Sequence, residues 1–241
     1  MNVLGDGIGF LKLVAATTIM DGSDYPTDFM PAKAARVSVK GVQAQEHDPD
    51  KDYKLMRTLG THKPPHSSPF ERVSVTVCVK APIFVAREWM RHRTQAYSEI
   101  SARYTSSFVG EYYIPQEFRR QAVKNKQASE GGFSDEANSH IHMEMEGFYE
   151  GATADYQELI RMGVARELAR LVMPVGQYTQ FYATASLLNW ARFHALRNHP
   201  DAQWEIQQYA KGLNSILVDL YPNSWSIIRD GLSMSETEDM V

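Results

Sequence analysis

The sequence predicts an α+β fold, helix-rich and with one antiparallel sheet, and three observations carry that reading. Val73, Val75, Val77 and Val79 alternate with polar or small residues, the period of a strand that lays one face on a core. Beyond Asp135 the apolar spacing is that of several helices in succession. No unit of roughly 20 to 50 residues recurs, which excludes solenoids and propellers.

Composition sets the frame. The 241 residues, 43% hydrophobic and 22% charged, are those of an ordinary globular protein, read as one domain over residues 1–241. A chain of this length buries roughly 70 to 75% of its unfolded surface and needs no disulfide or structural metal to fold. Lys plus Arg number 25 and Asp plus Glu 29, a net charge of −4 that provides no global field for nucleic acid. Any anion site must be local. The single cysteine, Cys78, excludes an internal disulfide and a cysteine-based zinc site and points to a reducing compartment. Asp6 and Lys12 interrupt the apolar runs of the first twenty residues, so neither a signal peptide nor a membrane span is expected, and a cytoplasmic location follows.

Taken in order, Val3 to Val14 reads as an opening strand, followed by a polar connection through Pro26. Met30 to Ser38 is helix-compatible, Gln43 to Asp52 is a charged loop, and Lys51 to Leu59 is a short helix. The strand Arg72 to Lys80 follows, with Cys78 on its Ser74/Thr76 face. Pro82 suits the first turn of a helix running through Arg93, which would set Glu88, Arg91 and His92 on one face. Tyr97 to Tyr112 is extended or looped, and Gln121 to Asp135 is a polar, mobile loop. Asp135 caps a helix to about Met162, where Gly163 interrupts, and a further helical run spans Val164 to Met173. Tyr178 to Arg197 and Ala202 to Leu220 are spaced for two more helices, broken by Asn198-His-Pro200, and the acidic tail from 233 to 241 should fray.

The segment that stands out chemically is Arg91-His-Arg-Thr-Gln-Ala-Tyr-Ser-Glu-Ile-Ser-Ala-Arg-Tyr104. Three cationic or titratable residues at a helix end, then Ser98, Glu99, Ser101 and Arg103, can aim guanidinium and hydroxyl donors at one anion, phosphate above all. The alternative is that Arg91 to Arg93 only complement the negative end of the helix dipole. A second set comprises Arg166, Glu167, Arg170, Arg192 and Arg197. Arg170 could be half of a surface ion pair with Glu167, yet Ala169, Leu171, Val172 and Met173 around it argue for a guanidinium that is not fully solvated. His140, His142, Glu144 and Glu146 place only His140 and Glu144 on one helical face, so no metal site is expected. Walker, GxGxxG and GxSxG sequences are absent.

Arg91-His-Arg, seven residues and then Ser101-Ala-Arg-Tyr104 resembles the RHR-x7-S signature of the flavin-dependent thymidylate synthases (ThyX type). The likeness extends to His66-Ser-Ser-Pro-Phe-Glu71, Lys80-Ala-Pro-Ile-Phe-Val-Ala-Arg87, Glu167-Leu-Ala-Arg-Leu-Val-Met-Pro174, and Leu196-Arg197 with Ala202-Gln-Trp-Glu-Ile206, in consistent order. It implies a central antiparallel sheet flanked by long helices and a homotetramer whose sites form at subunit junctions. It further implies dUMP as substrate, FAD as cofactor, and NADPH and 5,10-methylenetetrahydrofolate as cosubstrates. By the resemblance, Arg91, His92, Arg93 and Glu99 hold the flavin, with His66 and Ser68 from a neighbouring subunit. Ser101, Ala102 and Arg103 grip the dUMP phosphate through a hydroxyl, a backbone N–H and a fork-shaped cation. Arg170, Arg197, Arg91 and Glu99 contact the rest of the nucleotide, and Arg197 carries the catalytic charge.

Several positions depart from the family pattern. Glu88, beside the nucleotide, stands where Gln is common. Ser186 and Arg192 stand where Asn residues meet the flavin, Asp201 where His is common, and Ser98 where Asn is frequent. Related activities are C5 methylation or hydroxymethylation of UMP or dUMP; a reading of another class is a noncatalytic nucleotide- or RNA-binding module.

Overall fold

The computed structural model describes residues 1–42, 46–123, 125 and 129–236, with side chains through 232. Four strands form one sheet: β1 (Phe10–Ala16), β2 (Ser74–Pro82), β3 (Ala96–Glu99) and β6 (Tyr178–Ser186), in the order β1-β2-β6-β3 with every neighbour antiparallel. The registers Leu11↔Val79↔Phe181 and Val77↔Ala183↔Tyr97 put the alternating residues of all four strands on one face. Val75, Val77 and Val79 are buried there, as the alternation in the sequence requires.

Helices cover that face. The short α3 (Ile83–Trp89) leaves β2 directly, and α6 (Leu187–Arg197) leaves β6 in the same manner. Trp89 lies edge-on to Phe181, Trp190 and Tyr209, bringing α3, β6, α6 and α7 (Trp204–Leu220) into one aromatic core. The Trp190 indole N–H donates to the Val75 carbonyl at 3.1 Å, so burying it leaves no donor unpaired.

A second layer joins α1 (Met30–Lys40), α2 (Pro49–Thr61) and α8 (Pro222–Glu236). Asp48 caps α2 by accepting from Lys51 N, and Asp28 accepts from the backbone N–H groups of Asn223 and Ser224 at the start of α8. Helices α2 and α8 cross where Gly60 faces Gly231, a contact too close for any Cβ. The 27-residue α4 (Asp135–Arg161) is capped by Ser134 and is followed by Gly163 at φ 84°, then the single turn α5 (Arg166–Ala169) and a 3₁₀ turn, Arg170–Val172.

Several expectations are corrected. The opening strand starts at Phe10; before it, Asp6 accepts from Ile8 and Gly9 N–H groups and holds the chain in a turn. The helix expected over Tyr178 to Arg197 is strand β6 followed by α6. Tyr178, Phe181, Tyr182 and Ala185 satisfy a helical spacing as well as Phe181, Ala183 and Ala185 satisfy the strand period, and pairing on both edges decides for the strand. Ser186 marks the junction, its Oγ accepting from Asn189 N at 3.3 Å as the cap of α6. The loop Gln121 to Asp135 contains part of a hairpin, β4 (Arg119–Gln121) with β5 (Ser129–Gly132); residues 124 and 126–128 of that expectation lie outside the described residues. Residues 43–45 of the charged loop also lie outside them. Helix α8 runs through Glu236, into the stretch read as a frayed tail, whose residues 237–241 are not described. The expected face carrying Glu88, Arg91 and His92 does not form, because α3 ends at Trp89.

Candidate functional site

The residues Arg91 to Arg103 leave α3 in a tight turn, become β3 and then turn again. Three side chains fix the first turn. The Tyr97 hydroxyl donates to the carbonyls of His92 at 2.9 Å and Trp89 at 3.2 Å, and the Trp89 indole donates to Gln95 Oε1 at 3.0 Å. Burial pushes the Tyr97 phenol up to about 12, so it remains a donor. The segment is therefore a built turn that presents Arg91 and Arg93 to solvent and turns His92 inward.

Arg197, the last residue of α6, meets that turn. Its Nε donates to His92 Nε2 at 2.9 Å and its Nη1 to Glu88 Oε2 at 2.9 Å. Burial, and then the Arg197 charge, hold the His92 imidazole down at about 4, so the ring is neutral; with Nε2 accepting, its proton sits on Nδ1. Two of the five guanidinium N–H groups are used, leaving Arg197 with donors for a ligand. Glu88, Arg91 and Arg197 line a polar cleft of about 560 Å³ with Asp201, Ala202 and Gln203.

A second cleft, of about 380 Å³, opens where the turn after β3 faces the segment after α4. Glu99, Ser101, Ala102 and Arg103 line it together with Tyr156, Arg170, Met173, Gln177 and Thr179. Ser101 Oγ accepts from Arg103 N at 3.3 Å and Nε at 3.4 Å, pre-orienting hydroxyl and guanidinium together. Thr179 Oγ1 donates to Glu99 Oε1 at 2.6 Å, which points that carboxylate at the opening of β6. Arg170 Nε donates to the Glu167 carbonyl at 3.3 Å and makes no ion pair with its carboxylate. Among the described residues no carboxylate pairs with Arg91, Arg93, Arg103 or Arg170, so each retains charge and donors for an anion.

The family model described as "Thymidylate synthase complementing protein" matches residues 23–223. A flavin-dependent thymidylate synthase of Thermus thermophilus is 44% identical over 95% of this chain and 80% of its own length. This chain belongs to the flavin-dependent thymidylate synthase family. The member from Thermosipho africanus is 41% identical over 89% of this chain and 88% of its own. A solved structure of the UMP/dUMP methylase PolB from Streptomyces cacaoi, bound with 5-Br dUMP, superposes with a TM-score of 0.78 at 32% identity, covering 91% of this chain and 94% of that one.

Within this member of the family, the chain divides the expected substrate residues between the two clefts. Glu99, Ser101, Ala102, Arg103 and Arg170 share one; Glu88, Arg91 and Arg197 share the other. The apolar residues around Arg170 do not bury it, since Leu168 is 54% and Leu171 79% exposed. Of the expected flavin residues, His66 and Ser68 are exposed and line neither of these clefts, the His66 ring lying 4.7 Å from that of His62. The Ser186 hydroxyl is engaged as the α6 cap, and Arg192 Nη1 donates to Asn189 Oδ1 at 3.1 Å. Tyr156, Gln177 and Thr179 were not legible as site residues, because strand β6 and the packing after α4 bring them to the cleft. His142 Nε2 donates to the Gln116 carbonyl at 3.1 Å, and among the described residues no three His, Cys, Asp or Glu side chains gather in a metal-binding group. Nor, among them, is any helix long and apolar enough to cross a membrane.

Proposed function

We infer that the protein is a flavin-dependent thymidylate synthase that methylates dUMP to dTMP, working in the cytoplasm as one domain per chain and without a cysteine nucleophile. The observation that carries this reading is the set of guanidinium groups, free of carboxylate partners among the described residues, in and beside two clefts, at the positions of the RHR-x7-S signature and of Arg170.

The two clefts are complementary halves of one site. Ser101, Ala102, Arg103 and Arg170 offer a hydroxyl, a backbone N–H and two forked cations, a donor set for a phosphate dianion. Arg197, held at its Nε and Nη1, presents its remaining N–H groups as a fixed positive charge for the pyrimidine. A homotetramer that sets one protomer's Arg197 cleft against a neighbour's Arg103 cleft completes the nucleotide site, with Glu99 at its edge.

Uracil C5 is a poor nucleophile, and the common remedy is a thiolate adding at C6. Cys78 is ill-suited to that role: it is 6% exposed on β2, lines neither cleft, and burial pushes its thiol up. Arg197 instead stabilises negative charge on the ring, the kind of preorganised electrostatic contribution that is usually the largest in catalysis. Glu88 accepts from Arg197 and fixes its aim; that pairing accommodates a carboxylate where the family commonly has Gln.

The chain's residues fit FAD. Arg91 and Arg93 are exposed and, among the described residues, have no ion-pair partners, as a diphosphate requires, and neutral His92 anchors the turn between them. His66, Ser68, Glu99, Ser186 and Arg192 complete the proposed flavin set. When bound, the flavin supplies hydride, with NADPH as its reductant and 5,10-methylenetetrahydrofolate as carbon donor.

The likeness to a methylase that takes UMP as well as dUMP supports a second reading, in which this pocket accepts the ribonucleotide. Product analysis decides between them. Purified protein with FAD, NADPH, 5,10-methylenetetrahydrofolate and either nucleotide should yield dTMP from dUMP. Methylation confined to UMP, a hydroxymethyl product, or failure to take up FAD would overturn the main reading.

A further inference from the structure

Two buried polar groups in the Arg103 cleft lack a bonding partner among the described residues. Tyr156, on α4, is 3% exposed and Gln177, just before β6, is 2% exposed, and both line that cleft. Among the described residues neither the Tyr156 hydroxyl nor Gln177 Oε1 has a hydrogen-bond partner. Buried polar groups are nearly always paired, and leaving one unpaired is costly, so two in one cleft call for a ligand that supplies both partners.

Their chemistry distinguishes what each would meet. A phenolic O–H can donate to an anion. Gln177 Oε1 can only accept, and a phosphate dianion has no proton to offer; a sugar hydroxyl does. Arg103, Arg170 and Ser101 line the same cleft and supply its donors for an anion. Thr179, two residues from Gln177, gives its hydroxyl proton to Glu99, so it has no donor left to offer the ligand.

We propose that Tyr156 and Gln177 are two further substrate-binding residues: the Tyr156 hydroxyl donates to the nucleotide phosphate beside Ser101, Arg103 and Arg170, and Gln177 Oε1 accepts from the 3′-hydroxyl of the sugar. This rests on the nucleotide reading given above. The cleft thereby reads the phosphate and the sugar together, and a free phosphate ion satisfies only half of it.

The test is calorimetric titration of the FAD-loaded protein with dUMP, alongside thermal unfolding with and without the nucleotide. Tyr156→Phe and Gln177→Met should each raise the dUMP dissociation constant about 5- to 20-fold, about 1 to 1.8 kcal/mol by the tenfold rule. Unliganded unfolding temperatures should stay level or rise, since each change removes an unpaired buried group. On wild-type protein, the 2′,3′-dideoxy analogue should bind about tenfold more weakly than dUMP, and Gln177→Met should erase that difference, a comparison that holds even if Tyr156→Phe folds poorly. Arg170→Ala is the control. If it weakens dUMP while Tyr156→Phe and Gln177→Met bind as wild type, or lose only unliganded stability, this assignment is overturned and the nucleotide reading survives. If wild-type protein does not bind dUMP, both fail.

Discussion

Replacing Arg197 with Ala separates the catalytic role of its charge from its structural one. The side chain is 19% exposed and pairs with Glu88, whose carboxylate is 46% exposed, so that ion pair contributes at most about 1 kcal/mol. Stranding His92 Nε2 as a buried acceptor costs about 1–3 kcal/mol more. The total, about 1–4 kcal/mol, is less than the usual ~5–15 kcal/mol stability of a domain, so Arg197→Ala should fold and bind flavin. Turnover should fall about 10²- to 10³-fold, the cost of removing one preorganised charge where negative charge develops. His92 gives an independent readout. Losing the neighbouring cation should raise its pKa from about 4, while burial, the larger cause, keeps it below its ordinary value. Chromatographic assay of dTMP, flavin absorbance and NMR titration of His92 follow the three effects. Turnover within a few-fold of wild type in a yellow, folded variant would refute the activation argument.

Other changes probe the rest of the chain. Cys78→Ser should leave turnover within about twofold, as its Sγ only accepts a weak contact from Gln180 at 3.5 Å; a folded but inactive variant would restore thiolate chemistry. Gly231→Ala should cost about 1–3 kcal/mol in urea denaturation, because the added methyl meets the Gly60 carbonyl of α2 directly, and an unchanged midpoint would contradict that crossing. Acid should destabilise the fold earlier than carboxylates alone demand. Burial holds both His92 and His194 down at about 4, below the ordinary 6.5, so their contribution is fully present above pH 6.5 and is lost as pH falls from 6.5 toward 4, where the unfolded chain takes the protons first. The loss should be on the order of 2–4 kcal/mol, and His194→Gln should remove about half of it; a urea midpoint level between pH 7 and 5 would count against it.

The valine alternation was enough to place β2, and the start and stop signals near Asp135 and Gly163 placed α4 to within a residue, although Ser134 and not Asp135 is its cap, because both features are local. Strand β6 was not legible in the same way. Its side chains fit either period, and only hydrogen bonding to β2 on one edge and β3 on the other resolves the choice. The missing cue was Ser186 before Leu187-Leu188, a cap signal that starts a helix there and not at Tyr178. That one misreading hid Gln177 and Thr179 from the site.

The site residues divide along the same line. Arg91, His92, Arg93, Ser101 and Arg103 form a contiguous motif whose spacing carries meaning. The Arg197–His92 and Arg197–Glu88 bonds join positions about a hundred residues apart and could not be read from spacing. The shortness of α3 likewise reflects tertiary contacts: the Tyr97 hydroxyl and the Gln95 side chain hold the chain in a turn where helix propensity would extend it. Tyr156 sits in a polar, helical stretch with no local mark to set it apart from Tyr149, the other tyrosine of α4.

A crystal structure of the flavin-loaded protein with dUMP tests the convergence of the two clefts most directly. Arg103 and Arg170 of one protomer should lie within hydrogen-bonding distance of the phosphate, with Arg197 of a neighbouring protomer against the pyrimidine of that same nucleotide. A nucleotide held by one cleft alone, with the other facing solvent, would contradict it.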